Sequence, residues 1–305
     1  MSLEFTTLSF FNHFSELEDP RIDRKKLYSL EEILFTTLCA VISGAESWYD
    51  IEDFGKARIT FLKRFFAYQN GIPSHDTIGR FFSLLNPQNF KDCFIKWVQT
   101  LQENIPELIA IDGKTIRRSF DKTNKKSAIH MISAFASNTR IVLGQSKVDN
   151  KTNEITAIPK LLDLLLIKGA IITIDAMGCQ KTIAKKIIEK QGHYIFGLKG
   201  NQGNLLENMA TYFEDTKTAF DYFEETDKGH GRIEIRKCWV TSAIDWLEEK
   251  KQWCNLQSFI KIESTRIIRE KETKEIRYYI TDLEANAKKL LFAIRSHWSI
   301  ENSLH

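Results

Sequence analysis

Cysteine is sparse and scattered. Cys39, Cys93, Cys179, Cys238 and Cys254 are odd in number, lie far apart and include no Cys-x-x-Cys pair. That pattern excludes a disulfide framework and a zinc site built on paired thiolates, and it fits a reducing cytoplasm. The opening MSLEFTTLSFFNHF has no basic stretch ahead of its apolar residues, and the apolar run Leu161–Ile174 is broken by Asp163 and Lys168. Neither a signal peptide nor a membrane span is expected. No internal repeat and no low-complexity tract occurs. A strong charge of one sign is also lacking: the net value is +3, which permits a polyanionic partner without establishing one.

What is present suits a packed chain. With 305 residues, 43% of them hydrophobic, there is enough apolar material for one large domain and a smaller one. Up to Pro106 there are 11 basic and 14 acidic residues, and beyond it 32 and 26. The basic excess therefore lies in the second part. There, two runs of aliphatic and β-branched residues each end in one aspartate: Glu107–Arg117, ELIAIDGKTIR, with Asp112, and Ala170–Cys179, AIITIDAMGC, with Asp175. Such runs read as buried strands. A carboxylate at the end of a buried strand is costly without a cation, and two such strands side by side would share a divalent metal. The alternative for each is an aspartate that caps the turn after its strand. No glycine-rich loop follows either one, which argues against a nucleotide-binding α/β enzyme.

Residues 1–105 read as helical. Ser29 with Glu32 forms a capping box for a helix over Leu30–Ser43, and Ser74 caps a helix from about His75 to Leu85, stopped by Pro87. Phe90, Phe94, Trp97, Val98 and Leu101 recur at helical spacing as core. The stretch Gly71–Phe82 could be half of a helix-turn-helix, but its net acidic surroundings favour a supporting helical module. Pro106 marks the boundary. After the first aspartate strand, Ala128–Ser137 and Arg140–Val148 form strands joined by a turn at Asn138-Thr139. A helix at Ile155–Lys168, the second aspartate strand, a helix at Lys181–Gln191 and a strand at His193–Leu198 follow. This order predicts an α/β fold with a mixed sheet and helices on its faces. From about Gln202 to Leu283, the candidates Arg232–Thr241, Phe259–Thr265 and Arg277–Thr281 alternate charge with apolar residues, as in an inserted β-rich subdomain with one wet face. Helical pattern resumes at Ala285.

Five motifs in order, AIDGKTIR, TIDAMGCQ, LKGNQ at Leu198–Gln202, GHGRIEIR at Gly229–Arg236 and HWSIENSLH at His297–His305, resemble the DDE transposases of bacterial insertion sequences, and among them the H-repeat-associated group. The resemblance covers essentially the whole chain. It implies an RNase H-like catalytic domain over 106–305, with a β-rich insertion at about 202–283, behind a helical accessory domain over 1–105. Asp112, Asp175 and Glu301 match the family's catalytic and metal-binding triad. The implied cofactor is Mg²⁺ or Mn²⁺, since hard oxygen ligands suit such ions and two of them support in-line phosphoryl displacement. The implied partner is double-stranded DNA, at insertion-sequence ends and target, bound by a homodimer in the cytoplasm. Lys114, Arg117, Arg118, Lys199 and Arg232 would then neutralise phosphates. His230 and His297 are weaker candidates for metal or acid/base roles, and His297 beside Trp298 also reads as packing.

The chain departs from the family in three places. Related transposases carry a Tyr and an Arg before the Glu where this chain has Ile294 and His297, and a Lys after it, at a point past His305. The reading is therefore of a C-terminally truncated copy, with Glu301 loosely held in a final turn of little burial and slow or absent cleavage. Two alternatives accompany it: a stand-alone RNase H-like nuclease, and a catalytically dead DNA-binding or dimerising remnant that interferes with the intact transposase.

Overall fold

A single mixed sheet of nine strands, in the order β3-β2-β1-β4-β5-β9-β8-β7-β6, carries the second part of the chain. It is seen in a computed structural model that describes residues 10–101, 108–116, 119, 128–148, 154–215, 220–229, 231–269 and 271–303. The chain divides into two compact units, Met1–Glu103 and Asn104–His305.

The first unit is helical, with α1 (Leu30–Ile42), α2 (Trp48–Ala57), the single turn α3 (Ile59–Leu62), α4 (His75–Leu84) and α5 (Pro87–Leu101). The expected capping box is formed: Ser29 Oγ accepts from Glu32 N–H at 3.1 Å, and the Glu32 carboxylate accepts from Ser29 N–H at 3.2 Å. Glu32 does more than cap. It is buried, and its other oxygen accepts the N–H of Tyr68 at 2.6 Å. Tyr68 has a φ of 43°, in the left-handed region that costs a side-chain-bearing residue energy. The hydrogen bond to a buried carboxylate offsets that cost. Ser74 caps α4 by accepting from Thr77 N–H, while His75 Nδ1 donates to the Glu52 carboxylate at 2.7 Å and the ring stacks on Tyr49. The Glu52 carboxyl is held down to about 2 by Lys56 and then His75. Trp97 and Val98 are core, and Phe10 meets Trp97 edge-on.

In the second unit β1 (Leu108–Thr115), β2 (His130–Ala136) and β3 (Ile141–Val148) run as an antiparallel meander. β4 (Ile171–Ile174) and β5 (His193–Leu198) then add parallel to β1, reached through the helices α6 (Glu154–Leu164) and α7 (Lys181–Glu189). A meander followed by parallel strands in the order 3-2-1-4-5 is the RNase H-like arrangement. α8 (Gly203–Asp215) leads into β6 (Asp221–Gly229), β7 (Arg232–Thr241), β8 (Ser258–Ile268) and β9 (Lys271–Thr281).

These last four strands are not a separate sheet. β9 pairs antiparallel with β5, so these strands prolong the sheet of β1–β5 rather than standing apart from it. The physical reason is the edge: Ile195 and Phe196 of β5 are buried, and an unpaired backbone beside them would be buried with them. The last helix, α9 (Ala287–Ser303), lies across the face that carries Leu108 and Ala110, its Leu290, Leu291 and Ile294 packing with Cys238, Val240, Ile260 and Leu108. α6 packs on β2 and β3 from the other face, which carries Gly113. No helix among the described residues is long and apolar enough to cross a membrane.

Glu32→Ala should leave the buried Tyr68 N–H without an acceptor and lower the stability of the first unit by about 1–3 kcal/mol, measured by denaturant unfolding. An unfolding midpoint equal to that of the unsubstituted chain would show that the bond contributes nothing.

Candidate active site

The site begins with a strand register. β1 and β4 pair in parallel from Leu108↔Ile171 to Ile111↔Ile174, so Asp112 and Asp175 are the next residues at the carboxyl ends of two neighbouring strands. Both line a cavity of about 720 Å³, together with Lys199 from the end of β5 and His297 from α9. Asp112 is half-buried and Asp175 exposed. The expectation of two buried carboxylates is thus corrected: the strands are buried but their ends open on the cavity.

Turn capping and a site role coexist at Asp175. Its Oδ1 accepts from Met177 N–H at 3.1 Å and Gly178 N–H at 3.4 Å, fixing the carboxylate in an Asx-type turn. The turn is tight: a Cβ on Gly178 would collide with Ile174 Cγ2 and lie 3.0 Å from Ile158 Cδ1. From β5 the following segment reaches back. Asn201 Nδ2 donates to Ala176 O at 2.6 Å and Gln202 Nε2 donates to Cys179 O at 3.0 Å. Within LKGNQ the residues single out Lys199 alone; the signal for the other two is a pair of amides directly after a strand end.

α9 approaches the same strands. His297 Nδ1 lies 3.0 Å from Thr173 Oγ1, two residues before Asp175, and Ile300 is fully buried against Ala110 and Phe135. Ile300, the immediate neighbour of Glu301, is thus held, while the side chains of the final turn, on which the expectation of scant burial falls, lie outside the described residues. The backbone of Glu301 belongs to α9, one turn beyond His297; its side chain lies outside the described residues. His297 is neither loose nor mere packing, since it is hydrogen-bonded and faces the cavity.

Among the basic candidates, Lys199 lines the cavity and Lys114 follows Asp112 on the same face of β1. Arg232 does not join them. It lines a separate open depression at the β6–β7 turn and pairs with Glu234 at 3.1 Å. Arg117, Arg118 and His230 lie outside the described residues.

The donors brought together are hard carboxylate oxygens. The nearby thiol, Cys179, is fully buried, and burial pushes its pKa well above the usual range, so it is no thiolate ligand. Among the described residues no group of three or more His, Cys, Asp or Glu comes together as a metal site. Two carboxylates at one cavity nevertheless match the donor set that Mg²⁺ or Mn²⁺ prefers.

The family profile described as "Transposase DDE domain" matches residues 103–305, and that described as "DDE_Tnp_1-associated" matches residues 11–98. The chain belongs to the DDE transposases, in their H-repeat-associated group. It is 45% identical over 302 residues to the "H repeat-associated putative transposase YhhI" of Escherichia coli K12, covering 96% of this chain and 80% of that protein. To the "Putative transposase YncI" of Escherichia coli O157:H7 it is 44% identical over 305 residues, covering 97% of this chain and 78% of the relative. Among solved structures, a piggyBac transposase synaptic complex with hairpin DNA aligns with 98% of this chain and 66% of its own at 11% identity, with a TM-score of 0.47, a likeness too slight to bear on function.

Ile300→Ala should cost about 2–5 kcal/mol of stability by opening a cavity between α9 and β1, and amide exchange should quicken in the last turns of α9. Unchanged exchange there would show that the helix is held by something other than this contact.

Proposed function

We propose that this chain is a DNA transposase catalysing divalent-metal-dependent strand cleavage and transfer at the ends of its insertion sequence. The observation that carries the reading is the β1–β4 register, which brings Asp112 and Asp175 side by side at the mouth of one cavity. With Glu301 they are the residues that would hold the ions. Bound there, Mg²⁺ or Mn²⁺ would activate the attacking oxygen and relieve charge on the leaving oxygen.

The chain's own part is positioning. Backbone amides of Met177 and Gly178 orient the Asp175 carboxylate, and Thr173 orients the His297 ring. Lys199 at the cavity rim is placed to meet a phosphate oxygen. In cleavage, a water oxygen forms a bond to the scissile phosphorus as the bond to the 3′-oxygen breaks, and that oxygen leaves with a proton. In joining, the freed 3′-hydroxyl attacks a target phosphorus in the same manner. The substrate is double-stranded DNA, and two copies of the chain act together on it in the cytoplasm.

Asp112→Asn and Asp175→Asn should each lower Mg²⁺-dependent cleavage of a supercoiled plasmid carrying the element's ends by at least about a hundredfold, while DNA affinity without divalent ions is kept. Cleavage undiminished in both would overturn the reading. DNA binding should weaken with salt, with a slope of log K against log[salt] of about −4.5 if the five basic candidates each meet a phosphate. Lys199→Ala should reduce the magnitude of that slope by about 1, and a slope near zero in the unsubstituted chain would remove phosphate contact as the basis of binding.

A further inference from the structure

The segment after Asp175 is held at both ends from outside. Ala176 O accepts Asn201 Nδ2 at 2.6 Å as well as the Cys179 N–H that closes the turn at 3.2 Å, and Cys179 O accepts Gln202 Nε2 at 3.0 Å. Asn201 and Gln202 sit in a 3-10 turn, Gly200–Gln202, that directly follows the end of β5, the strand paired to β4. Ala176 and Cys179 are buried, so their carbonyls need partners from the protein. Within the loop the ties among the described residues are the Asp175 carboxylate, the Ala176–Cys179 turn bond and a long Gln180 Nε2 to Met177 O bond of 3.4 Å, and none of these links it to the neighbouring strand β5. The two amides supply that link, tying both ends of the loop to the turn after β5. They also lie in the same five-residue stretch as Lys199, so one turn of β5 both fixes the Asp175 loop and delivers a cation to the cavity.

We infer that Asn201 and Gln202 are positioning residues for Asp175, holding its carboxylate where it takes a divalent ion. This rests on the reading of Asp175 as a metal-holding carboxylate. The alternative is that the amides only satisfy two buried carbonyls, with no bearing on the ion. Partners of a metal ligand are worth roughly 10–100-fold in affinity or activity when removed.

The test uses Asn201→Leu and Gln202→Met, which keep the shape of the side chain and lose its donor. Mn²⁺ binding to the full chain is followed by electron paramagnetic resonance, alongside the Mg²⁺ dependence of plasmid cleavage, DNA affinity without divalent ions and thermal unfolding. Each substitution should weaken Mn²⁺ binding by about tenfold or more and raise the Mg²⁺ concentration needed for half-maximal cleavage, with DNA affinity unchanged. If one variant unfolds at the assay temperature, the other carries the comparison, and Asn201→Gln, which keeps the donor, should restore part of the Mn²⁺ affinity. Folded variants that bind Mn²⁺ as the unsubstituted chain does would overturn the inference. Asp175→Asn separates the two levels. If it loses Mn²⁺ while the amide variants do not, only the positioning role fails; if it binds and cleaves normally, the functional reading fails with it.

Discussion

The arrangement depends on the parallel pairing of β1 with β4. Side chains alternate along a strand, so a slip of one residue between these two would send one aspartate to the opposite face. The register is held from both sides of the sheet. Ile109, Ile111, Ile172 and Ile174 are buried almost completely, and Ala110 and Thr173, paired in the same register, present small side chains to α9. A larger residue at Ala110 would lift Ile300, and the helix with it, away from the strands. Small residues under the helix and large ones on the other face are what let the two aspartates follow neighbouring strands in one register.

Around that point the structure separates two tasks. Apolar burial sets where the backbone goes, and hydrogen bonds from loops set where the carboxylate points. The Asp175 turn shows the division: Gly178 lets the chain fold back against Ile174 and Ile158, while Met177, Gly178, Asn201 and Gln202 supply the directed bonds. On the Gly113 face a second close approach occurs. A Cβ there would collide with the Glu154 carboxylate, which lies 2.6 Å from His130 Nε2. Glycine directly after Asp112 thus lets the start of α6 press against β1 just past the carboxylate.

Much of this was legible in the residues because local chemistry dictates it. Ser29 and Glu32, Ser74, and the strands His193–Leu198 and Arg232–Thr241 follow from caps and from period, and they lie where those rules put them. The two aspartates were legible because each ends an aliphatic run. What was hidden depends on contacts between distant segments. β6, with the sequence DYFEETDKG, has no apolar alternation and is a strand only because β7 pairs with it along its whole length. The same holds for Asn201 and Gln202, whose partners lie more than twenty residues away, and for Glu32, whose second partner, Tyr68, is 36 residues on. The exposure of Asp175 was hidden too, since a sequence shows that a strand is buried but not that its end opens on a cavity.

Joining β6–β9 to the sheet of β1–β5 has a mechanical consequence. α9 begins over β7 and β8, where Leu290, Leu291 and Ala293 pack with Cys238, Val240, Ile260 and Ile262, and it ends over β1 and β2, where Ile300 meets Ala110 and Phe135. Arg295 adds ion pairs to Glu225 at 2.6 Å and Asp227 at 3.8 Å on β6. Those pairs are largely exposed and contribute little, on the order of 1 kcal/mol or less each, whereas each fully buried aliphatic side chain of the helix contributes about 1.5–3 kcal/mol. Apolar burial on the insertion therefore decides where α9 starts, and burial on β1 decides where it finishes. A helix fixed at both ends cannot shift along its axis without unburying one of them. The strands that are inserted in sequence between Asp175 and Glu301 thus form the platform that sets the approach of the helix to the two aspartates.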